Sequence, residues 1–411
     1  MECHQQAMSR VGLVILGMMV TTMPTAGQSA TAGVDGNARP AATVPAMYVF
    51  GDSTMDVGNN NYLPGDFPRA DKPLYGVDFP GGGRPTGRWS NGYNIADFVA
   101  KCMGFRRSPP AYLSLTRRSS RSRRRLILKG VSYASAGSGI LDSTYAGKYI
   151  PLSQQVRYLG ATKNEMVATL GACAANELLS KSLFLISTGN NDLALFAAAA
   201  QANTSSLAAA QLRQSDVVAA YYSSLISNYS AAIKELYGMG ARRFGIVSVG
   251  LIGCTPSARV QSPSGACAAA ANALAGGFND ALRSLLARLQ RRLRGLSYSM
   301  GDLYGFMREA IAHPRAAGLW NVDSACCGGG GRMGAQSGCR PNSTLCVDRG
   351  RYLFWDSGGH PTQRAARLIA SAFCDGPAQF AAPVNLKQRV RVPGPATTNG
   401  KGRGACGLPR P

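Results

Sequence analysis

Few residues of this 411-residue chain can do acid–base chemistry near neutral pH. Of its three histidines, His4 lies among the first residues, which leaves His313 and His360 for a mature protein. Imidazole is the side chain whose ordinary pKa falls between pH 5 and 8, so a base for a hydroxyl nucleophile is sought here first. His360 stands in Phe354-Trp-Asp-Ser-Gly-Gly-His-Pro-Thr362, and a carboxylate, Asp356, precedes it by four positions. A carboxylate so placed can orient the ring and stabilise the imidazolium, as in a triad. His313 sits in Ala312-His-Pro-Arg315 with no acid in that run, and a surface role is expected of it. Ser53 is the candidate nucleophile, because it follows the apolar run Ala46-Met-Tyr-Val-Phe50 directly. If that run is a buried strand, the Ser53 hydroxyl projects at the carboxyl edge of a sheet, where open α/β sheets build their sites.

The surrounding sequence supplies elements that can hold these groups. Apolar runs of strand length recur at Val131–Ser135, Ser182–Thr188 and Arg243–Val249, with a weaker one at Leu296–Leu303. Helical spacing marks Asn94–Cys102, Gln154–Leu170, Asp216–Tyr237 and Asn272–Leu293, and Thr362–Phe373 follows the last proline before it. The stripe Phe278, Leu282, Leu285, Leu286, Leu289 and Leu293 is the cleanest of these. Strands alternating with helices predict a mostly parallel sheet covered on both faces. With 45% hydrophobic and 16% charged residues, general disorder is excluded.

The amino terminus reads as an address. The apolar run Val11–Val20 follows Arg10 and is followed by Ala26, Ser29, Ala30 and Ala32. It is too short for a bilayer, which needs about 20 apolar residues, and fits a secretory signal cut near residues 26 to 32. The expected organisation is a signal peptide over 1–30, a small-residue linker over 31–45, one α/β domain over 46–388 and a basic, disordered tail over 389–411. No transmembrane anchor is expected. Apart from Cys3, ten cysteines remain, at 102, 173, 254, 267, 326, 327, 339, 346, 374 and 406. An even number in an exported chain reads as disulfides, of unassigned connectivity. A zinc site is the rival, but it wants paired Cys-x2-Cys or nearby histidine. Asn203, Asn228 and Asn342 open Asn-x-Ser/Thr sequons that could carry glycans.

The charge balance is extreme: 44 basic against 21 acidic residues, a net +23. It suggests a polyanionic partner: nucleic acid, an anionic membrane surface or an acidic polysaccharide. Six arginines fall in Arg117–Arg125, expected as an exposed loop. They lack interleaved aromatics for base stacking, so no nucleic acid is expected.

Several motifs then occur in a recognisable order. The Gly-x-Ser-x-Gly elbow of α/β-hydrolases is absent. Instead, Gly51-Asp-Ser-Thr-Met-Asp-Val-Gly-Asn-Asn-Asn61 resembles the first block of plant-type GDSL esterases/lipases, in the SGNH hydrolase superfamily. Ser132-Tyr-Ala-Ser-Ala-Gly-Ser-Gly-Ile140 is similar to the second block and Thr188-Gly-Asn-Asn-Asp192 to the Gly-x-Asn-Asp block. Ile252-Gly-Cys-Thr-Pro256, Phe278-Asn279, Val322–Gly328, Asp356…His360-Pro-Thr and Phe380–Asn385 complete the series, which spans roughly 46 to 388. The resemblance implies a flavodoxin-like three-layer α/β/α sandwich and a secreted serine esterase/lipase needing neither metal nor organic cofactor. It implies that Ser53 attacks the ester carbonyl, that His360 serves as base and that Asp356 orients it. The oxyanion donors it implies are the backbone N–H of Ser53, the N–H of Gly137 and the Asn191 side chain. The substrate it implies is an acyl ester of a lipid, a cutin-type polyester or an acetylated polysaccharide, met in the apoplast or cell wall.

The chain departs from the family pattern at Thr54, Ser132 and Ala136, and most notably in the last block. There the family spaces Asp and His three apart, whereas Asp356 and His360 are four apart. Glycines 358 and 359 permit a bulge that restores the geometry; without one, the acid misses the ring. The second outcome gives the alternative function, an impaired relative that keeps the fold and binds acidic wall polymers through its basic surface.

Overall fold

The computed structural model describes residues 43–65, 67–202 and 207–391. The expected signal peptide, all but the end of the linker, Asn203 and the tail beyond Arg391 lie outside the described residues.

The first half of the chain runs β1 (Met47–Gly51), α1 (Ile95–Cys102), α2 (Tyr112–Leu115), α3 (Ser120–Ile127), β2 (Gly130–Ser132), α4 (Leu152–Leu170), α5 (Ala172–Lys181), β3 (Leu183–Ser187), α6 (Asn190–Ala202) and α7 (Leu207–Gly238). The second half continues with β4 (Arg243–Val247), α8 (Pro256–Arg259), α9 (Ala269–Arg292), β5 (Ser297–Gly301) and α10 (Leu303–Ala312). Short strands follow, β6 (Asn321–Ala325), β7 (Cys327–Gly328), β8 (Thr344–Leu345) and β9 (Tyr352–Phe354). The series closes with α11 (Gln363–Asp375), β10 (Ala381–Ala382) and α12 (Leu386–Arg391). Pairing in the main sheet is parallel in the order β2-β1-β3-β4-β5, and β10 adds antiparallel to the edge of β5. This is the flavodoxin-like order, whose topological switch point lies between β1 and β3.

The strand sequences show why the sheet is covered on both faces. Every side chain of β1 and β3 is buried, and successive residues point to opposite faces. Tyr48, Phe50, Phe184, Ile186, Phe244 and Ile246 enter one core, which α4, α5, α7 and α9 close with residues such as Leu159, Leu179, Tyr229 and Leu282. Met47, Val49, Leu183 and Leu185 enter the other, closed by α1, α10 and α11 through Val99, Met307 and Ile369. Rings line the first face from strand to strand: Tyr48 to Phe184 at 5.2 Å and Phe184 to Phe244 at 5.8 Å.

Local signals set the helix ends. Asn94 caps α1 and exchanges bonds with Asp97 in a capping box, while Thr362 caps α11. Cys102–Cys374 then ties α1 to α11 across 272 residues of sequence. Three further described disulfides join Cys254–Cys267, Cys326–Cys346 and Cys327–Cys339, and Cys173 is also disulfide-bonded. Among the described residues, no helix is long and apolar enough to cross a membrane.

One expectation is corrected. The Arg117–Arg125 segment is an exposed turn only as far as Ser119; from Ser120 it is helix α3. Ser119 caps that helix by accepting from Ser122 N–H, and Ile127 anchors it in the core. Arginine is a good helix former, so a polar run need not be a loop once one apolar residue can be buried.

Candidate active site

Ser53 follows β1 by two residues. Met55 and Asp56 N–H groups both donate to Asp52 O, at 3.1 and 2.9 Å, so the chain turns sharply where Ser53 sits. The turn is fixed from below by Asp52, whose fully buried carboxylate accepts from Thr54 N, Thr54 Oγ1 and Asn190 Nδ2 at 2.7–2.9 Å. Ser53 Oγ lies 2.8 Å from His360 Nε2. His360 Nδ1 lies 2.7 and 2.8 Å from the two oxygens of Asp356. A nitrogen facing a carboxylate carries the proton, which leaves Nε2 free to accept from the Ser53 hydroxyl.

The four-residue spacing is accommodated by a bulge. Gly359 N–H donates to Asp356 O at 3.1 Å, and Gly358 N–H to Asp356 Oδ1 at 3.0 Å, closing a tight turn. Gly359 adopts φ +85°, and a Cβ there would collide with Thr255. Trp355 N–H reaches His360 O at 2.6 Å, so the chain returns on itself directly after the turn. The base of the turn is rigid. Trp355 is fully buried, and Cys326 and Cys327 N–H groups bond to the carbonyls of Phe354 and Trp355. Those same cysteines are bridged to Cys346 and Cys339. The cysteine- and glycine-rich loop thereby holds the strand end that carries the acid.

Tyr75 and Trp89 complete this side. Tyr75 Oη donates to Asp356 Oδ2 at 3.0 Å, and the Trp89 ring lies 5.0 Å from the His360 ring and 5.4 Å from that of Tyr75. Burial, then the charge of Asp356 and its hydrogen bond, push the Tyr75 hydroxyl well above its usual range, so it stays a donor. For His360 burial is the largest influence and pulls the pKa down. The charge and hydrogen bond of Asp356, with the charge of Asp52, outweigh it and leave the ring above the ordinary 6.5.

The opposite side is built by the loop after β2 and the start of α6. Ser135 N–H donates to Gly51 O at 2.9 Å. Gln155 on α4 pins the loop further: its Oε1 accepts from Gly51 N, and its Nε2 donates to Gly51 O, Ser138 Oγ and Ile150 O at 2.9–3.0 Å. Gly137 therefore sits beside the end of β1, with φ +86° and the Tyr149 ring packed where a side chain would go. Asn191 Nδ2 donates to Ser138 O at 2.9 Å and can offer its second hydrogen elsewhere. Asp192, buried, accepts from Ile140 N, Leu141 N and Thr144 Oγ1. Asp56 accepts from Gly58, Asn59 and Ala136 N–H, and burial pushes its carboxyl up to about 6.

The structure thus brings Ser53, His360 and Asp356 into one hydrogen-bonded row, and sets Gly137 on the loop after β2 and Asn191 in the first turn of α6 beside it. Asp56 and Asp192 belong to motif blocks visible in the sequence, although no role had been expected of them. Gln155, Tyr75 and Trp89 carried no sequence signal. Asn228 is exposed on α7 and Asn342 on a turn. His313 is exposed at the end of α10, as expected of a surface role, but the expectation that it has no local acid is corrected: Glu309, one helical turn back, lies 3.8 Å away.

A family model described as GDSL-like lipase/acylhydrolase matches residues 47–373. GDSL esterase/lipase At5g55050 of Arabidopsis thaliana is 38% identical over 354 residues, covering 85% of this chain and 90% of that protein. GDSL esterase/lipase At4g16230 from the same plant is 34% identical, covering 85% and 92%. GDSL esterase/lipase At1g71250 is 36% identical, covering 84% and 89%.

Proposed function

Since the chain belongs to the GDSL-like lipase/acylhydrolase family and is a carboxylic ester hydrolase, we propose that Ser53, His360 and Asp356 carry the reaction and that the enzyme is secreted. The observation that carries this reading is the unbroken row Ser53 Oγ–His360 Nε2 and Nδ1–Asp356, at 2.8, 2.7 and 2.8 Å. His360 takes the Ser53 proton as Oγ attacks the acyl carbon, and the imidazolium returns it to the departing alcohol. The same nitrogen then activates water against the acyl-enzyme. Negative charge on the carbonyl oxygen is met by the Ser53 and Gly137 N–H groups and by Asn191 Nδ2. The substrate is an acyl ester of the lipid, cutin-type or acetylated-polysaccharide kind. The impaired-binder alternative finds no favouring observation, because a protein that only binds has no need of a base 2.8 Å from the Ser53 hydroxyl. Disulfides support export, and Asn342, exposed on a turn, is the better placed glycan acceptor than Asn228 within a helix.

A fluorophosphonate probe tests the assignment. It should label the protein once, on the peptide containing Ser53; labelling at another serine, or none, refutes it. The pH profile gives a second check. His360 must be neutral to act, and its pKa is raised above 6.5, so kcat/KM should fall on acidification with a midpoint above 6.5. The stability linkage has the opposite sign: a raised histidine pKa stabilises the fold below about 6.5 and loses that contribution as pH rises through the folded value. Acid should therefore silence the enzyme without that group unfolding it. A midpoint at or below 6.5 would remove Asp356 and Asp52 as the charges that act on the ring. Asn191→Ala should lower kcat by about 100- to 1,000-fold, the usual effect of deleting an oxyanion donor, with KM little changed. A rise in KM alone would make Asn191 a binding group.

A further inference from the structure

We propose that the outer face of α3 is a docking surface for a linear polysaccharide bearing carboxylates, separate from the ester-hydrolysing site. Arg121, Arg124 and Arg125 recur at three- and four-residue spacing on that helix and are exposed. Arg117 and Arg118 continue the row before it, and Lys129 after it. The eight residues of α3 extend this cationic face over about 12 Å. Little in the fold neutralises it. Among the described residues, the one ion pair made by an α3 arginine is Arg123 with Glu165, and Glu177 nearby is taken by Lys181 at 2.6 Å. The first turn of α3 has no acidic residue. Like charges three and four apart repel along a helix, so the row is a surface that an external polyanion would relieve.

What lies beneath the arginines selects the partner. Ile127 is in the core, Leu126 and Leu128 pack against it, and Tyr48 Oη donates to Ile127 O at 3.1 Å. The apolar side chains within α3, Leu126 and Ile127, are thus spent inward, so the helix has no apolar stripe of its own for a bilayer, although Leu128, Leu170 and Leu178 line the groove beside it. The row presents no free aromatic face for nucleobases, since Arg117 already lies 5.0 Å over the Tyr62 ring. Guanidinium groups are planar forks that match carboxylates in bidentate fashion and remain charged at any ordinary pH. The choice of polysaccharide over an intracellular polyanion rests on the export reading above.

The place of α3 keeps this surface clear of the chemistry. The helix leads into the amino end of β2, where Gly130 pairs with Met47, the first residue of β1. Arg125 and Lys129, with Lys181, also rim a groove of about 540 Å³ that reaches Pro45, just before β1. Ser53 stands at the other end of that strand. A polymer held here would retain the enzyme on an acidic matrix while its active site faces away.

The test uses the full mature chain and polygalacturonate as the probe, with phosphatidylserine vesicles and single-stranded DNA as competitors for the assignment. The variant Arg118→Gln/Arg121→Gln/Arg124→Gln/Arg125→Gln removes the row while keeping good helix formers. A control, Arg288→Gln/Arg291→Gln/Arg292→Gln/Arg294→Gln, removes the same number of charges at the end of α9, near β5 and across the sheet from β2. The α3 variant should bind polygalacturonate at least about tenfold more weakly at ~0.1 M salt, with a flatter salt dependence, and the α9 variant should bind as wild type. Ester hydrolysis and fluorophosphonate labelling should be unchanged in both, which separates this proposal from the catalytic one. Equal weakening in both variants would reduce the effect to net charge and overturn the site. So would wild-type binding that is absent, or tighter to vesicles or DNA than to polygalacturonate.

Discussion

Ser53→Ala should lower kcat/KM on a short p-nitrophenyl acyl ester by about 10,000-fold or more, the usual consequence of removing a triad nucleophile. The change deletes one oxygen and leaves its surroundings in place. Asp52 still fixes the turn through Thr54 and Asn190, and His360 keeps both oxygens of Asp356. Folding stability should move little, because Ser53 Oγ has a single described partner, His360 Nε2. The loss should therefore appear in kcat, with thermal unfolding close to wild type. Whatever activity persists measures the remaining oxyanion donors and water. An unchanged rate would mean that hydrolysis occurs elsewhere on the chain, and the whole constellation would then be without a task. Fluorophosphonate labelling should vanish in the same variant, giving a readout independent of substrate choice.

The features legible in the sequence were those written in short-range patterns. A five-residue apolar run ahead of a glycine is consistent with a buried strand, and it is one, as β1. The leucine stripe from Phe278 onward marked α9, and Thr362 marked the start of α11. Ser53 stood out as a candidate because strand and serine are adjacent, and a parallel sheet covered on both faces followed from the alternation of elements. Long-range partners were not legible. Tyr75 meets Asp356 across 281 positions, and Gln155 meets Gly51 across 104. Neither residue type is unusual, and no local spacing announces a contact made only when β1, α4 and the last loop converge. The cysteine pairings belong to the same class, since ten cysteines admit many connectivities and only the fold selects among them. The arginine run misled for a different reason. Its polarity argued for a loop, but helix formation needed just a serine cap and one buried isoleucine, both present at Ser119 and Ile127.

The largest departure from the family pattern is in the last block, and there the extra residue has a physical solution. Here the added position is absorbed by Gly359 in the left-handed region, against Thr255, where a side chain could not fit. Gly358 gives its N–H to the very carboxylate that orients the histidine. The bulge thus supplies a hydrogen bond to Asp356 as well as the reach, so the departure alters how the acid is held without separating it from the ring.

Asp356→Ala should cost about 10,000-fold in kcat/KM, because the imidazole loses both its orientation and its counter-charge. Part of the damage would be structural. Gly358 N–H, Tyr75 Oη and His360 Nδ1 would all lose their acceptor in a site where Asp356 is buried, at about 1–3 kcal/mol for each donor left unsatisfied. Asp356→Asn separates the two contributions. Its Oδ1 can still accept from Gly358 N–H, and its Nδ2 then faces the Tyr75 hydroxyl, which can turn to accept. The fold should survive, but the amide nitrogen in place of Oδ2 comes within 2.8 Å of His360 Nδ1 and cannot accept its proton, so kcat/KM should still fall about 10,000-fold. Both changes remove the charge that lifts His360 against burial, and only Asp52 remains to oppose it. The acidic limb of the pH profile should therefore move to lower pH in both variants even as the plateau falls. An Asp356→Asn enzyme with wild-type rate and an unmoved limb would show that a backbone carbonyl or water, and not this carboxylate, supports the base.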